Sequence, residues 1–219
     1  MITKILITSH IDYFENAGRY LLNSIYKNCP AIKPEDIIIV MGGSQEEAHK
    51  VANLQEEAWA VPHNEFDFTA LVAAVELDFS SDFFFLMHDT CYVGGRFQDS
   101  YKLFEPSQMS KPVTSCQRSM SMGMYSKKLL KKCAAEILGL KNTDFSEEGL
   151  QKAKTLAVNK EDFLFSKYPC HGYCTPPKDY GEKDFYGTGV TRKIEYYENL
   201  DLYKAKSNWF SKNFWEIKL

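Results

Sequence analysis

The segment His88-Asp89-Thr90 places a carboxylate directly after a run of aromatic and aliphatic residues, Phe83 to Met87. Such an apolar run predicts a buried strand, so Asp89 stands at the end of that strand. A carboxylate there could hold Mn²⁺ or Mg²⁺, which would neutralise a diphosphate and help it to leave. The structural interpretation is that Asp89 caps the next turn while His88 hydrogen-bonds a loop. Position in the sequence does not separate these two interpretations.

Two further carboxylates, Glu161 and Asp162, precede the apolar residues Phe163-Leu164-Phe165. The pattern predicts an amphipathic helix over residues 161–167 that begins at these carboxylates. The dipole of a helix stabilises negative charge at its N-terminus, so capping explains both residues. The functional alternative is a general base or a group that positions an acceptor hydroxyl.

Three other positions carry weaker signals. Gly123, in a predicted strand over 120–125, would let a ligand approach the backbone closely. Asp67 either caps the helix that follows it or faces a nucleotide base. His171 lies in a long predicted loop, Tyr168 to Gly189, and could complete a metal or diphosphate site if that loop closes.

Three basic residues are candidate partners for phosphate groups, although isolated basic side chains usually lie solvated on a surface. They are Arg192, Lys204 and Lys206.

Alternating strands and helices must position these residues. The predicted strands of the first half are Lys4–Thr8, Asp36–Met41, Trp59–Val61 and Asp82–Met87, and the predicted helices are Phe14–Tyr26, Gln45–Leu54 and Phe66–Leu77. Apolar strands that alternate with helices predict an α/β fold with a mostly parallel, doubly covered sheet. The second half is less regular, with strands at 111–116 and 120–125 and helices at 126–138 and 161–167.

Ligands of open α/β sheets bind beyond the carboxyl ends of the strands. The residues predicted at those ends are Thr8-Ser9-His10, Gly42-Gly43-Ser44 and His88-Asp89-Thr90-Cys91. Two adjacent glycines are weak evidence for a phosphate site.

Length and charge limit the class of protein. The 219 residues, 44% of them hydrophobic, fit a single domain, with residues 1–95 as a nucleotide-binding half and 96–219 as an acceptor-side half. A net charge of -3 argues against a broad electrostatic grip on nucleic acid or an anionic membrane. Without a predicted signal peptide or membrane span, we expect a reducing, cytoplasmic location and free cysteine thiols. The cluster at Cys170 and Cys174 lacks a second CxxC, which disfavours structural zinc.

Common nucleotide and hydrolase motifs are missing from the sequence. There is no GxGxxG and no GxxxxGK[ST], which disfavours a dinucleotide dehydrogenase and a P-loop NTPase. There is also no GxSxG, so a serine hydrolase of the α/β type has no support.

The order of the remaining motifs resembles the GT-A glycosyltransferase family. The run Phe83 to Cys91 looks like that family's metal-motif strand, Ser121 to Tyr125 like the strand beside the transferred sugar, and Glu161 to Phe165 like its Glu-Asp motif. The chain is also similar to small virus-encoded glycosyltransferases of the chlorella virus type, for which the cytoplasm would be the host's. One departure is that His88-Asp89-Thr90-Cys91 carries a single carboxylate where the family has Asp-x-Asp.

The resemblance implies a Rossmann-like GT-A fold and transfer of a sugar from a nucleoside diphosphate, most simply UDP, to a hydroxyl of a glycan or glycoprotein. By the same resemblance, Thr8, Ser9 and Asp67 would hold the nucleoside, with His10, His88 and Gly123 also lining the donor site. Asp89, aided by His88, His171 or water, would hold Mn²⁺ or Mg²⁺, and Glu161 or Asp162 would act as the base. Two alternatives stay open, a sugar-nucleotide nucleotidyltransferase and a non-catalytic sugar-nucleotide-binding domain.

Overall fold

The computed structural model describes residues 2–104, 113–114, 120–161, 164–165, 168, 171–172, 175–186, 189 and 191–206. The strands are β1 (Thr3–His10), β2 (Ile37–Gly42), β3 (His49–Lys50), β4 (Glu57–Val61), β5 (Phe83–His88), β6 (Cys91–Val93), β7 (Val113–Thr114), β8 (Gly123–Ser126), β9 (His171–Gly172), β10 (Lys178–Lys183), β11 (Arg192–Tyr197) and β12 (Leu202–Ala205). The helices are α1 (Arg19–Asn28), α2 (Thr69–Glu76), α3 (Phe97–Ser100), α4 (Lys127–Lys132), α5 (Ala134–Leu138) and α6 (Glu147–Glu161). A π-helical turn, Phe14–Gly18, leads into α1, and short 3₁₀ turns cover Pro34–Asp36, Phe66–Phe68 and Tyr101–Phe104.

Within the described residues, the larger sheet has the strand order β3-β4-β2-β1-β5-β8-β7-β9. The neighbours β4, β2, β1 and β5 run parallel, while β8 pairs antiparallel with β5. The prediction of an α/β fold with a mixed, mostly parallel sheet flanked by helices is confirmed. Strands from both halves of the chain share this sheet.

Both faces of the parallel strands are buried. Ile5 and Ile7 of β1 pack in a core with Leu21 and Ile25 of α1, whereas Leu6 points to a second core that includes residues of α2. Successive side chains of a strand point to opposite faces, so a strand covered on both sides must be apolar throughout. The continuous isoleucine and phenylalanine runs of β2 and β5 have the same explanation.

A second, antiparallel sheet has the order β10-β11-β12-β6 within the described residues. Two residues, Asp89 and Thr90, separate the end of β5 from the start of β6 and so connect the two sheets. The Ala205 amide donates to the Thr90 carbonyl at 2.9 Å and fixes the end of β12 beside that connection.

The helix predicted over Gln45–Leu54 is wrong. That segment forms turns and the two-residue strand β3, which pairs antiparallel with β4. Only Val51 and Leu54 of the segment pack against a core, so a helix here would have had a narrow apolar face.

The helix predicted to begin at Glu161 is also wrong, because Glu161 is the last residue of α6 and Leu164–Phe165 form a turn. The helix dipole therefore does not favour a carboxylate at this position. The helix predicted over Ser126–Leu138 is confirmed but is interrupted at Cys133, and part of the long loop predicted after Tyr168 forms β10.

None of the helices in the described ranges is long and apolar enough to cross a membrane. Cys29 and Cys91 are buried free thiols, as expected, and Cys133 is buried. Cys116, Cys170 and Cys174 lie outside the described residues.

Candidate functional site

The carboxyl ends of β1 and β5 lie side by side, with Thr8 opposite His88 in the register. The amide of Asp89 donates to the Thr8 carbonyl at 3.0 Å. The Ser9 hydroxyl donates to Oδ2 of Asp89 at 2.7 Å. The structure therefore brings together two of the segments that the sequence placed at the strand ends.

The Thr8 side chain has a structural contact. It is buried, and its hydroxyl oxygen accepts from the Ala70 amide at 3.3 Å. Ala70 lies in the first turn of α2, where backbone donors lack partners within the helix. Thr8 thus ties the start of α2 to the end of β1.

Asp67 reaches the same edge from the 3₁₀ turn that precedes α2. Its Oδ1 lies 3.5 Å from Nδ1 of His88, and its Oδ2 lies 3.9 Å from Nζ of the buried Lys154. Phe66, the preceding residue, has a φ of 54°, which is strained for an aromatic residue, and Lys154 Nζ lies 4.9 Å from its ring centroid. Backbone strain that packing maintains is common at functional sites.

The carboxylate of Asp67 is ionised over the whole range in which the protein would work. Burial opposes its ionisation, but the surrounding basic side chains outweigh burial and hold the pKa of Asp67 well below its ordinary range. Those side chains are, in order of effect, Lys154, His88, Lys204 and Lys206.

Asp89 behaves in the opposite way. Burial raises its pKa to about 6, although the hydrogen bond from Ser9 favours the charged form. The negative charge of Asp67 adds to the increase. The site therefore contains one permanently ionised carboxylate and one that titrates near neutral pH.

His88 is neutral at pH 7. Burial and the charge of Lys204 lower the pKa of its imidazole to about 3, although Asp67 favours protonation. The backbone of Ser121 lies near the ring, yet Nε2 of His88 is buried and makes no hydrogen bond of normal geometry to the described residues. Such a ring can donate one hydrogen bond and accept another from a ligand.

Because the pKa of His88 is lower in the folded protein than in the unfolded chain, its contribution to stability is present above pH 6.5 and is lost as pH falls. At pH 5 the unfolded chain gains a proton here that the folded protein does not. We expect the wild type to lose ~2 kcal/mol more than His88→Asn between pH 7 and pH 5. Urea unfolding of both proteins at the two pH values measures the difference, and parallel losses would contradict it.

Basic side chains from the second sheet approach this edge. Lys204 of β12 acts electrostatically on Asp67 and on His88, and Lys206 acts on Asp67. Arg192 lies in the neighbouring strand β11, and Lys206 directly follows β12. The three basic residues, which looked isolated in the sequence, therefore come from two adjacent strands. The edge combines half-buried carboxylates with a group of cations.

Arg192 and Tyr186 form the far side of the group. The guanidinium carbon of Arg192 lies 5.9 Å from the centroid of the Tyr186 ring. Burial raises the pKa of Tyr186, and the charge of nearby Asp89 raises it further. The Tyr186 hydroxyl and Arg192 Nε are both buried and have no hydrogen-bond partner among the described residues. Buried polar atoms of this kind are candidates to bind a ligand.

His10 and the two glycines have packing roles. The backbone at Gly42 passes so close to the His63 carbonyl that an added Cβ would lie 2.7 Å from its oxygen. Gly43 has a φ of 88°, and an added Cβ would lie 2.3 Å from the His10 ring. His10 also lies 3.6 Å from Asp12, and its contacts are on the β2 side of β1. These glycines are explained by close packing without a phosphate.

Gly123 is the first residue of β8 and pairs with Leu86, two residues before His88. The small residue is therefore near the site edge, in the strand next to β5. His171 is farther away, because β8 and β7 lie between β5 and its strand β9. Three strand spacings put its backbone about 14 Å from β5. The sheet does not bring His171 together with Asp89.

The structure does not place the two carboxylates predicted as catalytic at this edge. Glu161 ends α6, two turns beyond Lys154, and nothing is described of its side chain; Asp162 lies outside the described residues. The sequence reasoning missed Lys154 and Tyr186. For Lys154 the available signal was the start of α6, where Ser146 accepts from the Gly149 amide at 3.1 Å and Glu147 and Glu148 follow.

Within the residues that the structure describes, no group of three histidine, cysteine or acidic side chains is placed to hold a metal ion. No protein-family model and no curated protein sequence matches this chain.

Proposed function

We propose that this protein is a glycosyltransferase that takes a sugar from a nucleoside diphosphate, UDP in the first instance, and transfers it to a hydroxyl of a glycan. The observation that carries the proposal is the group of charges at the carboxyl edge of a parallel sheet, where Asp67 lies 3.9 Å from Lys154 within the field of Lys204 and Lys206, and Asp89 accepts from Ser9. Open α/β sheets bind nucleotides at this edge. Cations beside a hydroxyl-binding carboxylate suit a ligand that has both phosphates and sugar hydroxyls.

The basic residues would hold the diphosphate. Arg192 has a buried Nε without a partner in the described part of the chain, and a guanidinium binds phosphate oxygens in a bidentate manner. Lys204 would add positive charge where negative charge develops as the diphosphate departs, while Lys206, which lies 3.4 Å from Glu195, would contribute only at longer range. Asp67, held ionised, would accept hydrogen bonds from the nucleoside.

Asp89 would act as the general base for an inverting transfer. In that reaction the acceptor oxygen forms a bond to the anomeric carbon, the bond from that carbon to the phosphate oxygen breaks, and the acceptor proton passes to Asp89. A base works best when its pKa is close to the working pH, and the pKa of Asp89 is about 6. Ser9 would orient the carboxylate through its 2.7 Å hydrogen bond.

A manganese ion at Asp89 is the alternative way to neutralise the diphosphate. The side chains present fit it poorly, because Asp67 is already paired with Lys154 and the positive charges of Lys204 and Lys206 act on the same carboxylate. No step above therefore passes through a metal.

Thermal unfolding with UDP, GDP, ADP and CDP, each with and without Mn²⁺, tests the donor site. UDP at 100 times its Kd should raise the free energy of unfolding by ~2.7 kcal/mol without needing the metal. The Arg192→Ala and Lys204→Ala variants should lose most of this stabilisation, while Lys128→Ala, which removes an exposed lysine of α4, should keep it.

Each other outcome has a defined meaning. A UDP shift that needs Mn²⁺ would move Asp89 from base to metal ligand. A shift with no hydrolysis or transfer of UDP-sugars would favour a binding domain, and pyrophosphate release from a nucleoside triphosphate and a sugar phosphate would favour a nucleotidyltransferase. No shift with any nucleotide would refute the proposal.

A further inference from the structure

The outer face of the second sheet carries a row of tyrosines. The register places Tyr196 of β11 opposite Tyr203 of β12, and Tyr203 opposite Tyr92 of β6, so these three share one face. Tyr180 of β10 joins them, with its ring centroid 5.1 Å from that of Tyr203. Leu202 and Val93 point from the opposite face into a core. The tyrosines therefore lie on the face opposite Leu202 and Val93.

The row continues to the candidate site. The ring of Tyr20 on α1 lies 5.5 Å from that of Tyr92 and 5.3 Å from that of Tyr186, and Tyr186 is the residue whose pKa responds to Asp89. Rings therefore follow one another from the half-exposed Tyr180 to Tyr186, and Tyr92 within the row lies three residues after Asp89 in the chain. The four strands alone extend the row over about 14 Å, which is longer than a single sugar ring.

We propose that this tyrosine row, Tyr180, Tyr196, Tyr203, Tyr92 and Tyr20, is the binding platform for a glycan chain whose terminal sugar reaches Asp89. The inference rests on the proposed function and deepens it by naming the acceptor as an oligosaccharide. A sugar ring has a face of weakly polarised C–H bonds, which suits the negative face of an aromatic ring, and hydroxyls at its edge, which suit the phenol groups.

The composition of the row favours a glycan over other occupants. Nucleic acid bases also stack on aromatic rings, but their phosphates need a basic surface, and the chain has a net charge of -3. Beside the row, Lys178 is paired with Glu198 at 2.6 Å and is not free to bind phosphate. Protein interfaces also use tyrosines, so it is the continuity of the row with the candidate site, through Tyr92, Tyr20 and Tyr186, that favours a sugar chain here.

Binding of defined oligosaccharides tests the platform. We would titrate the full chain by calorimetry with the gluco-, xylo-, manno- and chito-series, each from one to four sugars. At least one series should bind, with affinity that rises with length because each added sugar meets another ring. Tyr180→Ala, at the exposed end, should weaken the tetramer by roughly tenfold and leave the monosaccharide unchanged.

The controls separate a binding role from a structural one. Tyr203→Phe keeps the ring and should keep most of the affinity, while Tyr26→Ala removes a tyrosine of α1 outside the row and should have no effect. If no series binds with length dependence, or if Tyr180→Ala binds the tetramer as the wild type does, the platform is refuted. UDP binding is measured on the wild type and on the same variants. If the wild type does not bind UDP, the donor site is refuted. If it binds UDP but no glycan, only the platform is refuted.

Discussion

Asparagine in place of Asp89 is expected to lower kcat for sugar transfer by at least about a hundredfold, because a positioned general base contributes about 10²–10⁴ to the rate. Asparagine keeps the size of the side chain and can still accept the hydrogen bond from Ser9. It cannot take the acceptor proton. In the wild type kcat/KM should rise with pH through about 6, where the base loses its proton. Initial rates of UDP release with a saturating acceptor measure both effects.

Three comparisons make the result specific. Ser9→Ala should lower kcat by a smaller factor, since it removes only the group that orients the carboxylate, and Asp99→Asn, an exposed acidic residue of α3, should change nothing. The free energy of unfolding of Asp89→Asn should not fall at pH 7, because burial already opposes ionisation of this carboxyl. Near-normal turnover by Asp89→Asn would exclude Asp89 as the general base. If UDP binding by the wild type required Mn²⁺ and Asp89→Asn lost that binding, Asp89 would be a metal ligand instead.

His63→Ala is expected to cost about 3–5 kcal/mol of stability. His63 is fully buried between two carboxylates: Nδ1 lies 2.7 Å from Glu65 and Nε2 lies 3.2 Å from Glu76. Glu65 is itself buried and accepts from the Asn142 amide at 2.7 Å. Alanine would leave a cavity and take from the buried Glu65 its imidazole partner, whereas Glu76 would keep its ion pair with Lys141. The melting temperature should fall by roughly 6–20 °C.

His49→Ala provides the matched comparison, because His49 also lies beside a carboxylate, Glu46 at 3.7 Å, but on the surface. Its substitution should change stability by less than about 0.5 kcal/mol. Chemical denaturation of the three proteins at pH 7 decides the matter. If His63→Ala lowered the free energy of unfolding no more than His49→Ala does, the contacts of the buried His63 with the two carboxylates would not stabilise the fold.

The parallel strands could be predicted because each is apolar on both faces. The residues that follow them, Ser9 and Asp89 above all, could then be placed at one edge by the rule that parallel strands end together. Their 2.7 Å contact joins positions 80 residues apart in sequence. This half of the site followed from local pattern alone.

The second sheet could not be predicted in the same way. Every residue of β10 is exposed, and β11 mixes buried and half-buried positions, so neither strand has a continuous apolar run. Lys204 and Arg192 therefore looked like isolated surface charges. The approach of Lys204 to Asp67 and His88 depends on pairing between β12 and β6, which is a tertiary contact that no local spacing encodes.

The helix errors have separate physical causes. Helix α6 was missed although Ser146 and two glutamates mark its start, because its buried positions include the small Ala153 and Ala157 and the charged Lys154, which give a weak apolar pattern. Its end was then mistaken for a beginning, since Glu161 precedes aromatic residues. At Gln45–Leu54 the charged composition suggested a helix, but pairing of β3 with β4 satisfied the backbone instead.

The pairing of β12 with β6 also affects synthesis on the ribosome, because it joins residues 91–93 to residues 202–205. The segment that carries Asp67 and Asp89 emerges more than a hundred residues before the strands that carry Arg192 and Lys204. Domains fold as their chain becomes available, and contacts between distant segments form late. The nascent parallel strands therefore have their acidic groups in place while the cations are still being synthesised, and the proposed nucleotide site is complete only once β12 has been released.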